Sequence, residues 1–133
     1  MDKNKLLKLA KEARKSAYAP YSDFCVGAAL LCDDGSVYMG CNVENAAFSP
    51  TCCAERVAVF KAVSDGKRSF SAIAIVGGRS DSDTVTPCYP CGVCRQVMSE
   101  FCKDDFIVIT ENNGIAESTS FSNILPNRFK LND

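Results

Sequence analysis

The sequence predicts an α/β domain built in layers around a mixed sheet, and three observations carry that prediction. Apolar segments of strand character alternate with segments of helical periodicity along most of the chain, the pattern of strands and helices stacked in layers. Asp33-Asp34-Gly35 joins the first two strand segments as a hairpin turn, so the sheet is mixed rather than wholly parallel. At 133 residues, 47% hydrophobic and with net charge −1, the chain is expected to form a single domain over 1–133 with a real core and no tendency to disorder.

The elements follow in order. Residues 2–18 read as a helix: Leu6, Leu7, Ala10, Ala13 and Ala17 form an apolar stripe, lysines fill the opposite, solvated face, and Asp2 suits the N-cap. Ala19-Pro20-Tyr21-Ser22-Asp23 breaks it. Strands are predicted over 24–32 and 37–41, the second running into Asn42-Val43-Glu44-Asn45. A helix capped by Ser49 or Thr51, with Cys53 in its first turn, runs to a stop at Asp65-Gly66. A buried strand over 69–76 ends at Gly77-Gly78, and 79–89 is polar and irregular. Cys91-Gly92-Val93-Cys94 opens a helix to about Cys102, 105–110 is a short strand, and 111–118 is loop before a small last strand and the tail Ile124-Leu125-Pro126-Asn127-Arg128-Phe129.

Composition narrows the chemistry. No basic stripe tracks a phosphate backbone, so nucleic acid is not the expected partner. The charged N-terminus is not followed by a signal-type apolar core, and no apolar run approaches the roughly 20 residues of a membrane span. Nine cysteines, an odd number, with metal-type spacing and no leader point to a reducing, cytoplasmic compartment rather than a disulfide framework. Histidine is absent, so any zinc is held by sulfur or carboxylate.

The chemistry concentrates in Thr51-Cys52-Cys53-Ala54-Glu55-Arg56 and Pro90-Cys91-Gly92-Val93-Cys94-Arg95-Gln96. Three thiolates can hold one Zn²⁺ and leave its fourth position open, as in a catalytic site. A carboxylate that is not a ligand stands by to move protons. Three cysteines, or a histidine and two cysteines, with such a glutamate are the known signature of zinc deaminases. With Asn42-Val43-Glu44-Asn45-Ala46 added, the chain resembles the small homotetrameric cytidine deaminases from about Leu6 to Phe129.

The resemblance implies a three-layer α/β/α sandwich with a mixed five-stranded sheet and one zinc per subunit. It implies hydrolytic deamination of cytidine and 2′-deoxycytidine to uridine and 2′-deoxyuridine, with release of ammonia, in pyrimidine salvage. The ligand then stands two before Glu55 and directly after a proline, which selects Cys53, Cys91 and Cys94 over Cys52 and Cys88. Cys52 would point about 100° away around the helix. Cys88 as a fourth thiolate would close the metal and give a structural zinc module, the non-catalytic rival. Cys25, Cys32, Cys41 and Cys102 sit in apolar runs and are expected in the core. Three thiolates leave the centre at −1, so Arg56 and Arg95 are placed to offset charge; in the family the arginine after the catalytic Glu contacts ligand sulfur.

For substrate, the resemblance assigns Glu55 as the proton shuttle, Ala54 as an orienting backbone contact, and Asn42 and Glu44 as partners of the ribose 3′-hydroxyl. Phe24 is the aromatic beside the pyrimidine. Ala46, Phe48 and Phe129 complete the nucleoside contacts, the last two reaching neighbouring pockets in a homotetramer with shared sites. Phe48 stands where many members have Tyr and so lacks a hydroxyl. Blasticidin-S deaminases share the zinc segments and are the alternative enzyme; Glu44 after Asn42 argues for an ordinary ribose.

Overall fold

The computed structural model describes residues 1–131. Its first helix, α1 (Lys3–Arg14), is capped by Asp2, whose carboxylate accepts from the Lys5 backbone N–H at 2.8 Å. Leu6, Leu7, Ala10 and Ala13 are buried as the stripe predicts. The helix stops at Arg14 rather than Tyr18. The cause is tertiary: Tyr18 is drawn into a bridge with Val43, donating to Asn42 O and accepting from Glu44 N, both at 2.9 Å.

Strands β1 (Phe24–Cys32) and β2 (Val37–Cys41) fall where the apolar runs place them. Gly35 takes the left-handed conformation that the turn between them needs, φ +91°. Helix α2 (Ala54–Ser64), strand β3 (Phe70–Arg79), helix α3 (Gly92–Phe101), strands β4 (Ile107–Asn112) and β5 (Ile115–Ser120) and a short α4 (Phe121–Ile124) complete the order. The sheet runs β2-β1-β3-β4-β5. Only β3 and β4 pair in parallel; the other neighbours are antiparallel. The mixed five-stranded sheet is therefore as expected.

Alternation along the central strands divides the core in two. Ala28, Leu30, Ile73 and Ile75 face α2 and α3 together with Phe106 and Phe121. Ala29, Ala74 and Val76 face α1. Small residues on the second face let α1 lie close. The extreme case is Gly27, where a Cβ would stand 2.0 Å from the Ala10 carbonyl oxygen. Among the described residues no helix is long and apolar enough to cross a membrane.

Three expectations need correction. Gly77-Gly78 do not end β3; they pair with Val26 and Cys25 of β1 and the strand runs on to Arg79. They are glycines because neighbours come close: a Cβ on Gly77 would meet the Phe24 ring at 2.8 Å, and one on Gly78 the Thr84 carbonyl at 2.4 Å. Residues 111–118 are mostly strand, since β4 and β5 form a hairpin about Asn113-Gly114, both at positive φ. Strand β4 begins at Ile107 because 103–106 close a turn, Phe106 N to Lys103 O at 3.1 Å.

The seat of α1 can be tested directly. Gly27→Ala has only backbone to push against and is expected to lose about 3 kcal/mol or more in denaturant unfolding. Gly92→Ala, which has nothing within 4 Å of the added Cβ, should change stability by less than about 1 kcal/mol.

Candidate metal centre and nucleoside pocket

Each metal-type segment ends in a helix N-terminus. Cys53 is the N-cap of α2 and Cys91 the N-cap of α3, both in extended conformation with their carbonyls already accepting the first helical bonds, from Val57 N at 3.1 Å and Arg95 N at 2.9 Å. Ser49 and Thr51 are therefore not the caps, and Cys53 precedes the first turn rather than lying in it. Position is set from behind. Val43 bridges both Tyr18 and Cys52, and α2 sits so close to β2 that a Cβ on Gly40 would stand 2.5 Å from the Ala54 carbonyl.

Two helix N-termini thus converge on one point, and three sulfurs meet there. Cys53, Cys91 and Cys94 Sγ all lie within 4.8 Å of one another, with Cys53–Cys91 at 3.9 Å and Cys91–Cys94 at 3.6 Å. Zn–S bonds of about 2.3 Å in a tetrahedron place sulfurs about 3.8 Å apart. The donor set fits one zinc per subunit. All nine cysteines are free thiols. Cys52 and Cys88 line the adjoining pocket without joining the mutually close set. Cys32 and Cys102 are buried core residues, while Cys25 and Cys41 are only partly covered.

Electrostatics follow the geometry. Hydrogen bonding from Cys94 above all, and from Arg56 and Cys91, draws the Cys53 thiol down to about 5. The same contact with Cys53, and burial, push Cys94 the other way. Arg56 Nη2 lies 3.5 Å from Cys53 Sγ and 3.4 Å from the Thr51 carbonyl. Among the described residues no carboxylate pairs with Arg56, so its charge is left for sulfur. Arg95 is used otherwise: Nε donates to Pro90 O at 2.7 Å and Nη1 to Ile124 O at 2.6 Å. It ties the ligand loop to the C-terminal segment, and the structure gives it no bond to sulfur.

Glu55 is the buried acid of the site, 4% exposed. Burial first, and the negative charge of Cys53 beside it, push its carboxyl up to about 7. It opens on a pocket of about 200 Å³ walled by Val26, Asn42, Glu44, Thr51, Cys88 and Tyr89 with the ligand segment. Burial, then the charges of Glu55 and Cys53, push the Cys88 thiol up to about 12.

Asn42 is mostly buried and double-bonded to β1: Nδ2 donates to Phe24 O and Oδ1 accepts from Val26 N, each at 2.9 Å. Glu44 Oε1 accepts from Tyr21 N at 3.0 Å and Ser22 N at 3.1 Å, and Oε2 from the Ser22 hydroxyl. These bonds, the Ser22 hydroxyl foremost, keep its carboxyl below the ordinary range. Ala54 is buried at the head of α2. Phe24 is not among the residues that line the pocket; its ring edge lies over Gly77, next to the Cys88 thiol. Ala46 is exposed and lines neither the pocket nor its neighbour; Phe48, 90% exposed, lies in a shallow depression that shares Glu44 and Thr51 with the pocket. Phe129, 67% exposed, lines a separate depression together with Gln96 and Ser99 of α3 and does not line its own subunit's pocket. Val26, Thr51 and Tyr89 are wall residues that the sequence reading missed. Val26 was accessible to it, two places after Phe24 on the same strand face.

A buried carboxyl beside three sulfurs that would hold one zinc, in a pocket of small-molecule size, is the arrangement of a zinc hydrolase. The chain belongs to the family described as the cytidine and deoxycytidylate deaminase zinc-binding region, which it matches over residues 1–110. A cytidine deaminase of Sporosarcina psychrophila is 52% identical over the whole chain and 95% of that relative. The crystal structure of a cytidine deaminase from Burkholderia pseudomallei superposes with TM-score 0.88 at 48% identity, covering 97% of this chain and all of that one. A blasticidin-S deaminase of Bacillus cereus is 30% identical over 80% of this chain and 78% of its own length.

The ligand set has a direct test. Cys53→Ala, Cys91→Ala and Cys94→Ala should each lose zinc, whereas Cys52→Ala and Cys88→Ala keep it, as metal analysis of the five purified proteins would read. Zinc lost from the Cys88 variant but kept by the Cys91 variant would reverse the assignment.

Proposed function

We propose that the chain deaminates cytidine and 2′-deoxycytidine by hydrolysis, giving uridine, 2′-deoxyuridine and ammonia, in pyrimidine salvage. The observation that carries this reading is Glu55: a carboxyl held near neutrality by burial, adjacent to the sulfur cluster and facing a pocket sized for a nucleoside base. Zinc at Cys53, Cys91 and Cys94 would make hydroxide available at neutral pH. Glu55 does the proton work. It accepts a proton from the attacking water and delivers it to ring N3, which makes C4 electrophilic. It then assists proton transfer to the departing amine. A group with a pKa near the working pH suits both directions of transfer. The backbone of Ala54 orients the base and Phe24 flanks it. Asn42 and Glu44, already fixed by β1 and the 21–22 turn, present their outer lone pairs and hydrogens to the 3′-hydroxyl. Arg56 offsets the −1 of a three-thiolate centre, which would otherwise weaken the metal as an acidifier.

The blasticidin-S reading is the less supported one, given the lower identity and shorter span of that relative. A structural zinc module would need a fourth thiolate, and Cys88 stands outside the close set. Nine free thiols favour a reducing cytoplasm. A homotetramer with shared sites accounts for Ala46, Phe48 and Phe129 lying exposed outside their own pocket.

Glu55→Ala should keep fold and zinc and lose at least about 10²- to 10⁴-fold in turnover, measured as ammonia release from cytidine. Near-normal turnover would sink the proposed chemistry. Phe129→Ala should keep zinc and assembly but weaken nucleoside binding. Its subunits, exchanged with Glu55→Ala subunits, should give activity above the unmixed average, because some mixed sites pair an intact Glu55 with a neighbour's Phe129. Verified exchange without any excess would place Phe129 in its own subunit's function.

A further inference from the structure

The loop from Ser80 to Tyr89 is irregular, yet its ends are tied down. Arg14, at the end of α1, donates Nε to Cys25 O at 3.0 Å and Nη2 to Arg79 O at 2.6 Å and Ser82 O at 3.1 Å. Ser80 N donates to Asp23 O, and Thr86 N to Gly77 O, each at 2.8 Å. The loop therefore returns to β3 before it reaches the pocket, and the next residues are Pro87, Cys88 and Tyr89. Cys88 enters the pocket wall from a fixed backbone.

What lies behind Cys88 decides what it can do. Its Sγ would stand 3.1 Å from a Cβ on Gly77, and the Phe24 ring 2.8 Å from the same point. Thiol and ring edge thus share the space that Gly77 leaves empty, with the β3 backbone as a floor. On its open side Cys88 lines the same pocket as Val26, Glu55 and Cys53. Volume added at Cys88 cannot retreat into β3 and has to enter the pocket. Volume removed there joins the pocket. Interiors packed at this density register a change of one heavy atom.

We infer that Cys88 is the size-limiting wall of the base end of the pocket, a specificity residue that excludes cytosine rings carrying a bulky substituent. The inference rests on the nucleoside-deaminase reading. It goes beyond it in giving a role to a cysteine that is not a ligand. A neutral thiol serves here as a small apolar surface. One methylene-sized misfit in such a pocket is worth about 10- to 200-fold in selectivity.

The test compares kcat/KM for cytidine with that for analogues carrying methyl or iodo groups at ring carbon 5 or 6, on zinc-loaded protein. Cys88→Ala should raise the substituted-to-parent ratio about tenfold for at least one ring position. Cys88→Leu should lower the activity on every analogue with zinc retained, and the near-isosteric Cys88→Ser should keep the parental ratio. Ratios that stay put in both the Ala and Leu variants would overturn the inference. Failure of the wild-type protein to deaminate cytidine would instead strike the function itself. A measurement on the wild-type chain guards against a misfolded variant. In crystals of the zinc-loaded wild-type chain with uridine bound, the pyrimidine ring should lie in van der Waals contact with Cys88, and a bound ring out of contact with Cys88 would equally overturn the wall assignment.

Discussion

Three sulfurs within 4.8 Å of one another carry too much negative charge to sit together unaided, and much of this fold answers that constraint. A divalent cation removes two charges of three. The N-termini of α2 and α3 supply partial positive charge at Cys53 and Cys91, and Arg56 adds a full charge not shared with a carboxylate. Removing any one of these leaves the others intact but shifts what the centre can do. A net anionic centre would hold its metal well and polarise water poorly, so in the proposed reaction the arginine would bear on reactivity more than on metal retention.

Those helix ends must be delivered to one point by segments far apart in sequence, and missing side chains do much of the delivering. Gly27 lets the C-terminal half of α1 lie on β1, and Gly40 lets the first turn of α2 lie on β2. Each contact is backbone against backbone, so neither helix can drift without breaking sheet packing. Cys53 inherits its position from Gly40 through Ala54, and Cys91 inherits its position from Pro90, whose carbonyl Arg95 holds. Arg95 therefore ties the loop that carries Cys91 to the C-terminal segment, where its place beside a ligand suggests charge.

The strands were legible where side-chain chemistry alone fixes them. Phe24 to Cys32 is continuously apolar, Asp33-Asp34-Gly35 is a turn by local preference, and Asp2 caps α1 by local geometry. The cluster of Cys53, Cys91 and Cys94 was legible through the resemblance, whose zinc segments are local motifs. Misreadings fall where a distant partner decides. Gly77-Gly78 read as a strand end because glycine weakens strands, yet they make room for Phe24, for Cys88 and for Thr84 on the returning loop, neighbours that only the folded chain brings close. Tyr18 left its helix for Val43. Asn113-Gly114 is a different case: a strong local hairpin signal was present, and weak hydrophobicity in Ile115–Ser120, an edge strand largely open to solvent, hid the strand that it starts.

The pocket has two unlike sides. Its inner wall is rigid: Asn42 is bonded to β1 at both ends, Glu44 to the turn at Tyr21 and Ser22, and Glu55 is buried. Its outer side is open, and the chain's most exposed phenylalanines, Phe48 and Phe129, lie away from it. An aromatic ring left in water gains nothing, whereas burial of one is worth about 1.5–3 kcal/mol. Hydrolysis at a buried acid also benefits when bulk water is kept from the bound base. A proposed assembly that buries these rings over a neighbour's pocket meets both demands at once. It would make the inner wall responsible for chemistry and the partner's aromatic rings responsible for retention of the nucleoside. Such a division would let residues so unlike in burial serve one proposed active site.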